Sequence, residues 1–273
     1  MVFLNAEHNY TQVPDLDKFH MHTHETYELY CFLSGDAKYF VEGTIYTLKS
    51  GDIVIMKKSE AHTLLIKSCI PYERIFINFN ADAILGDRGI LDFIDNRPLG
   101  SNNRYPASVF KETHWYYYLK KICSAKNIHE KQAYLTVLLI ELRDNYPKIC
   151  ENTPPEKDNI IEMIDYINMH LTENLSLDFL CNHFYISKVQ INRKFKQMTG
   201  STVWQYILAK RLLLAKELLQ SGRHPTDVSV ECGFHDYCSF FRAYKSKFNA
   251  CPKEYYVKKA THSLHRAEEK ESD

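Results

Sequence analysis

Two groups of side chains in this sequence have the types and spacing to do chemistry. The first lies near the N-terminus. His22, His24, Glu28 and Gly35 follow the spacing H-x-H-x3-E-x6-G, and His62 comes 11 residues after Gly51. Three imidazoles and a carboxylate match the donor preferences of Zn²⁺, Fe²⁺, Mn²⁺ or Ni²⁺. His22 and His24 alternate along an expected strand, which points both to one face. The same residues also suit a hydrogen-bonding pocket with no metal, and this is the preferred reading, with no resident cofactor. Tyr27, Tyr30, Tyr39, Tyr46 and Arg74 add stacking faces and donors suited to a sugar or an organic acid. The candidate effector pocket is therefore His22, His24, Tyr27, Glu28, Tyr39, His62 and Arg74. Within it, His22, His24, Glu28 and His62 are the candidate metal ligands.

The second group lies within residues 176–257, where one pattern occurs twice. Asp178 aligns with Asp227, Arg193 with Arg242, Phe195 with Tyr244, Gly200 with Asn249 and Tyr206 with Tyr255, all 49 residues apart. Leu180 fits Val228, and Cys181 fits Ser229, if the second turn carries one extra residue. Each copy reads as a short helix with a small central residue, a turn, an N-cap (Ser187, Asp236) and a longer helix. Gly200 and Asn249 follow the longer helices, and both tolerate the left-handed conformation that ends a helix. On a helical wheel, Ile191, Phe195 and Met198 share the core side of the first long helix. Phe240, Tyr244 and Phe248 do so in the second. The opposite faces carry Ser187, Val189, Asn192, Arg193 and Lys196 in the first copy, and Tyr237, Cys238, Phe241, Arg242 and Lys245 in the second. Arg can read guanine, Asn adenine, and Lys can hold phosphate, so these ten residues are the candidate contacts to double-stranded DNA. Phe241 has two outlets, a thymine methyl or a neighbouring helix.

The elements that must position these groups follow from the pattern along the chain. Its 273 residues suggest two domains, and 45% hydrophobic with 25% charged residues excludes wholesale disorder. Short runs rich in Tyr, Phe, Ile and Val at 27–33, 37–41, 44–48, 53–56, 63–66 and 74–79, punctuated by Gly35, Gly43 and Gly51, predict a small β-barrel or sandwich. Residues 82–106 read as irregular. Trp115, Leu119 and Ile122, then Leu135, Leu138, Leu139, Leu142 and Tyr146, predict two amphipathic helices that break near Asn127 and end at Pro147. The second carries enough apolar surface, with Val137 and Ile140, to cover the barrel and meet another subunit. The stretch VWQYILAKRLLLAKELLQ, free of Gly and Pro, predicts one long helix that Gly222 stops. A rigid helix there would set the two recognition helices into successive major-groove segments, about 34 Å apart.

The predicted organisation is a β-barrel effector region over 1–106, a helical dimerisation region over 107–147, a Pro-rich linker over 148–157, a doubled helix-turn-helix over 158–260 and a charged tail over 261–273. The fold class is α+β. Net charge is zero, yet residues 1–157 hold 18 basic and 20 acidic side chains (net −2), while 187–259 hold 14 basic and 5 acidic (net +9). That asymmetry favours a polyanion partner for the second half. No window of 18 uncharged apolar residues predicts a membrane span, and Met1–Tyr10 carries no secretory pattern, so the expected location is cytoplasmic. The eight cysteines contain no C-x-x-C pair and read as reduced thiols. Nucleophile elbows, phosphate loops and dinucleotide-binding glycines are not found.

On these residues a resemblance can be named. Residues 158–257 resemble the DNA-binding domain of AraC/XylS-type transcription regulators, through the doubled helix-turn-helix, the linking helix, and the stretch from Gly233-Phe234 through Phe240 and Arg242 to Pro252. The chain departs from the family at Asn249, where Gly is frequent, at Val203, where Pro is, and at Phe241, where a small polar residue is common. HMHTHETYELYCFLSG and GDIVIMKKSEAHTL similarly resemble that family's cupin-like effector domain, although Lys57 and Ser59 replace a usual Pro and Gly. The resemblance implies a non-enzymatic regulator, an activator, controlled by a small-molecule effector such as a carbohydrate. Its implied partners are double-stranded DNA, RNA polymerase and a second copy of the chain. The alternatives are a ligand-independent DNA-binding activator and a metal-dependent cupin enzyme.

Overall fold

The computed structural model describes residues 1–15, 21–110, 113–150 and 159–254. Residues 151–157 of the expected linker, Tyr255 and the charged tail lie outside them. Two compact units form, Met1–Glu162 with Lys194–Ser201, and Met163–Arg193 with Thr202–Asp273.

The first unit contains β1 (Leu4–Thr11), β2 (Tyr27–Ser34), β3 (Ala37–Val41), β4 (Thr44–Thr47), β5 (Ile53–Met56), β6 (His62–Ile66), β7 (Tyr72–Phe79), a short α1 (Asp92–Asp95), β8 (Arg104–Tyr105), α2 (Trp115–Ser124) and α3 (Ile128–Cys150). The strands form two antiparallel sheets, ordered β1-β7-β2-β5-β8 and β4-β3-β6. β3, β5 and the four other central strands fall where their aromatic and β-branched runs predict them. β1 and β8 were not foreseen, because LNAEHNYT is too polar and β8 too short to show a strand pattern.

β2 is buried on both faces, so it reads as a continuous apolar and aromatic run. Tyr27, Leu29 and Cys31 join Ile53, Ile55, Ile75, Ile77 and Phe79 on one face of the larger sheet. Leu119, Ile122, Leu135, Leu138, Leu139 and Leu142 of α2 and α3 cover that face. Tyr30 and Phe32 point the other way, into a second core with Tyr39, Val41, Val54, Met56, Leu64 and Tyr72.

One expectation is corrected here. α3 does not end at Pro147 but continues to Cys150. Pro147 forfeits only its own N–H one turn from the helix end, while Ile149 beyond it is buried in the core. Leu138 and Leu142 are fully buried in this core, so they are not available to a second subunit.

One ion pair is sealed inside this unit. Arg97 Nη1 and Nη2 donate to Glu60 Oε1 at 2.7 Å and Oε2 at 2.6 Å. Neither side chain has exposed surface. Glu60 also accepts from the Lys57 and Gly100 N–H groups and the Asn103 amide, and Arg97 donates to the Ile55 and Ser101 carbonyls.

The second unit holds α4 (Asn159–Met169), which begins just before it, α5 (Leu177–His183), the first half of α6 (Lys188–Thr199, assigned to this unit through Arg193), α7 (Val203–Gln220), α8 (Pro225–Glu231) and α9 (Tyr237–Phe248). Local capping sets their ends. Ser176 accepts from Phe179 N–H, and Asp236 accepts from Ser239 N–H at 2.7 Å. Ser187 and Gln190 bond reciprocally at the start of α6, and Thr202 and Gln205 form a capping box on α7. Asn249 and Gly200 both adopt positive φ, as expected.

The turns locate the inserted residue. Ile186 N–H bonds to Cys181 O in the first copy, and Phe234 N–H to Ser229 O in the second, 48 residues apart. Positive φ falls at Tyr185 and Gly233, also 48 apart. The caps Ser187 and Asp236 are 49 apart, so His235 is the extra residue. Arg211 then ties the unit together. Its guanidinium donates to the carbonyls of Leu171 at 2.8 Å, Glu173 at 2.6 Å and Gly233 at 2.7 Å. A Cβ on Gly233 would lie 2.7 Å from Thr172 O, so this close approach requires glycine.

The buried pair gives a direct test. Arg97→Leu leaves the Glu60 carboxylate buried and unpaired, and should cost about 3–5 kcal/mol of stability. Burial pushes the Glu60 carboxyl up, but the Arg97 guanidinium outweighs it and holds the group below its ordinary range. The contribution is therefore fully present above an unfolded Glu pKa of about 4.3 and fades as pH falls through the folded value. Urea midpoints of wild type and variant should differ widely at pH 7 and converge in acid; equal midpoints at pH 7 would refute the assignment.

Candidate functional site

Between the two sheets lies a cavity of about 190 Å³. It is larger than the roughly 150 Å³ that accommodates benzene in a protein core. His22, Glu28, Tyr39 and Arg74 line it, as the sequence predicts, together with Tyr30, Leu64, Phe76 and Asn78. Strand register brings these together. Glu28 stands opposite Asn78, Tyr30 opposite Phe76, and Tyr39 opposite Leu64. Tyr30, one of the tyrosines the sequence offers as a stacking face, sits two residues from Glu28, and two unforeseen members likewise sit two residues from a foreseen one on the same strand: Leu64 from His62 and Phe76 from Arg74. Asn78 is four from Arg74. The period of two could have found them. The Arg74 guanidinium lies 5.1 Å from the Tyr72 ring and 5.8 Å from the Phe76 ring. Tyr30 and Tyr72 share a hydrogen bond through their hydroxyls.

Tyr27 is not part of this pocket. It is adjacent to Glu28, so it projects from the opposite face of the sheet, where its ring stacks on Phe79 and its hydroxyl donates to Asp95 at 2.8 Å. Tyr46 is also turned away and donates to Gly100 O at 2.8 Å.

His22, His24, Glu28 and His62 do converge, with one potential ligand atom from each within 4.8 Å of the others. The expected strand is reduced to one bridge, in which His22 and His62 exchange backbone hydrogen bonds. Glu28 Oε2 lies 2.9 Å from His24 Nε2 and 3.7 Å from His62 Nε2, and Tyr39 donates to its other oxygen at 3.1 Å. Burial alone would push the Glu28 carboxyl up. Its contacts with His24 and His62 outweigh burial and hold it far below the usual carboxylate range. His24 and His62 complete this cluster from behind the residues that line the cavity.

In α6, Ile191 and Phe195 are fully buried, while Ser187, Val189, Asn192, Arg193 and Lys196 are exposed. Val189 is 77% exposed, on the same face as Asn192, Arg193 and Lys196. In α9, Phe240 and Tyr244 are buried and Cys238, Arg242 and Lys245 exposed. Phe241 and Tyr237 depart from a fully outward position. Both are half-buried, with rings 6.3 Å apart, and Tyr237 also packs on Phe240. Phe241 thus takes part of its outlet from its own helix. The two recognition faces present Arg193 and Arg242 at equivalent positions, each two turns after a capped start.

Comparison with known proteins agrees with both halves. A family model described as an AraC-like ligand binding domain matches residues 10–115, and one described as a helix-turn-helix domain matches 180–257. The chain is 33% identical over 101 residues to the probable transcriptional regulator LumQ of Photobacterium leiognathi, covering 37% of this chain and 41% of LumQ. It is 21% identical over 247 residues to the HTH-type transcriptional activator RhaS of Escherichia fergusonii, covering 86% of this chain and 87% of RhaS. A structure of ToxT from Vibrio cholerae aligns with a TM-score of 0.41 at 16% identity, over 93% of this chain and 98% of that one. Matched at its N-terminal half by an AraC-like ligand-binding domain and at its C-terminal half by a helix-turn-helix domain, this chain belongs to the AraC/XylS-type family of transcription regulators.

Proposed function

We propose that this protein is an effector-controlled transcription activator that reads double-stranded DNA with α6 and α9. The observation that carries this reading is the repetition itself. Two capped helices follow turns of the same hydrogen bonding, and each exposes an Arg and, three residues later, a Lys on the face opposite its buried stripe. Arg193 and Arg242 would contact base edges in the major groove, Asn192 would add an adenine contact, and Lys196 and Lys245 would hold phosphates. α7, with 18 residues, is about 27 Å long, which supports placing the two readers in successive groove segments.

The N-terminal pocket would hold the effector. Tyr30, Tyr39 and Phe76 offer ring faces, while Glu28, Arg74 and Asn78 offer polar groups, a combination suited to a small carbohydrate or organic acid. RNA polymerase is the partner an activator requires. The protein is cytoplasmic in this reading; no helix among the described residues is long and apolar enough to cross a membrane. It acts as a homodimer. Since the leucines of α3 face inward, the dimer surface would lie around Tyr117 and Val137, 50% and 38% exposed, beside Tyr134.

On an operator library, Arg193→Ala and Arg242→Ala should each cost about 1–3 kcal/mol of affinity and relax preference at one base position. The two effects should add. Lys196→Ala and Lys245→Ala should instead weaken all sequences alike and flatten the dependence of affinity on salt. A folded Arg193→Ala protein with unchanged specificity would overturn the groove-facing role of α6. For the dimer, the double variant Tyr117→Lys, Val137→Lys should sediment as a monomer where the wild type sediments as a dimer; a variant that remains dimeric would exclude this surface.

A further inference from the structure

The cavity between the sheets is polarised along its length. Three rungs of the β2–β7 ladder lie on the face that borders it. Glu28 stands opposite Asn78, Tyr30 opposite Phe76, and Phe32 opposite Arg74. One end therefore carries a carboxylate and an amide, the middle two aromatic rings, and the other end a guanidinium. The Glu28 oxygens are already engaged: the Tyr39 hydroxyl donates to Oε1 at 3.1 Å, and His24 Nε2 lies 2.9 Å from Oε2. Asn78 is different. Its Oδ1 is sealed from solvent and has no hydrogen-bond partner among the described residues, a state that carries a desolvation cost. The amide turns on a soft torsion, and a half-turn exchanges Oδ1 with Nδ2. Whichever atom faces the cavity, a hydroxyl can meet it, because a hydroxyl both donates and accepts. An ammonium only donates, and a carboxylate only accepts. At the other end the Arg74 guanidinium stands between two rings, 5.1 Å from that of Tyr72 and 5.8 Å from that of Phe76. Its planar fork of N–H donors matches a carboxylate.

We propose that the cavity takes a small aliphatic ω-hydroxy acid, with its carboxylate on Arg74 and its terminal hydroxyl on Asn78; as an effector class, this rests on the effector role proposed for the pocket. Charge sets the direction. A ligand carboxylate at the Asn78 end would face Glu28, whereas at the Arg74 end it meets the opposite charge. Volume sets the size. Since about 150 Å³ accommodates benzene, the 190 Å³ here accommodates about eight non-hydrogen atoms, enough for a four-carbon hydroxy acid and too few for a hexose. Register sets the length. Arg74 and Asn78 are two rungs apart, about 13 Å along β7. With a hydrogen bond of about 2.9 Å at each end, about 7 Å remains, close to the span of an extended four-carbon hydroxy acid. The two polar groups therefore belong at opposite ends of the ligand rather than on adjacent carbons. Between them, the Tyr30 and Phe76 rings meet the methylene groups.

Calorimetric titration of the full-length protein tests this with γ-hydroxybutyrate, α-hydroxybutyrate, butyrate, a butanediol with two terminal hydroxyls, and a pentose. γ-Hydroxybutyrate should bind saturably, and the α-isomer, butyrate and the diol should each bind about 10-fold or more weakly. Arg74→Gln should erase the preference for the acid over the diol. Asn78→Leu, which keeps the size and removes the amide, should reverse the preference between γ-hydroxybutyrate and butyrate; tighter binding of butyrate than by the wild type also reports that the variant folds. Binding of the pentose, the diol or the α-isomer more tightly than γ-hydroxybutyrate overturns the proposal, as does an absence of binding by every probe. DNA affinity measured on the same samples reports separately on the effector role. If γ-hydroxybutyrate binds through Arg74 and Asn78 and leaves DNA affinity unchanged, the ligand class stands and the effector role falls. If the pentose binds best and shifts DNA affinity, the effector role stands and the ligand class falls.

Discussion

The N-terminal site depends on a charge pair that faces neither the cavity nor solvent. Removing a carboxylate and a guanidinium from water costs several kcal/mol per ion, and their attraction offsets this only when the remaining donors and acceptors are also met. At Glu60 and Arg97 all but the Arg97 Nε–H, which has no hydrogen-bond partner among the described residues, are met by backbone and amide groups from β5, from the turn before β6 and from the loop at 97–103. The pair therefore fixes three segments at once. From that fixed point the Glu60 carbonyl orients the His62 ring, and His62 joins β6 to the segment carrying His22. The histidine cluster is built outward from a buried ion pair four residues of sequence away from any cavity-lining side chain.

Arg211 plays the corresponding part in the second unit with neutral partners. A planar guanidinium presents its donors in a rigid fork, so three carbonyls from two separate loops can be held by one side chain with little entropy lost per bond. Those carbonyls belong to the chain between α4 and α5 and to the turn between α8 and α9. The two helix-turn-helix copies are thereby linked through α7 as well as along it. Gly233 has no side chain because this clamp and Thr172 O occupy the space where a Cβ would stand. In the first copy the equivalent turn position is Tyr185, 97% exposed, which accepts positive φ in open solvent.

In the larger sheet, one strand serves two purposes. Odd-numbered residues of β2 build the core beneath α2 and α3, and even-numbered ones build the pocket. That is why Tyr27 and Glu28, neighbours in sequence, end in unrelated surroundings. It is also why the pocket can carry Glu28, Arg74 and Asn78 without weakening the unit: the stabilising apolar area lies mainly on the other face.

The sequence alone determined the elements whose signals are local. The strands from 27 to 79, the two helices after 115, the long helix ended by Gly222 and the doubled helix-turn-helix follow from period, caps and breakers, which act over a few residues. Even the outward faces of α6 and α9 were legible, because a helical wheel converts spacing directly into direction. Only the tertiary structure decided what depends on register and on partners distant in sequence. It joined polar β1 to β7, carried α3 through Pro147 by burying Ile149, turned the α3 leucines inward and moved Tyr27 out of the pocket. It also paired Glu60 with Arg97 and placed Arg211 among three carbonyls. The reason is physical. A hydrogen bond or ion pair between residues 37 or 38 positions apart leaves no periodic trace in the chain, and which face of a strand becomes a pocket depends on what packs against each side.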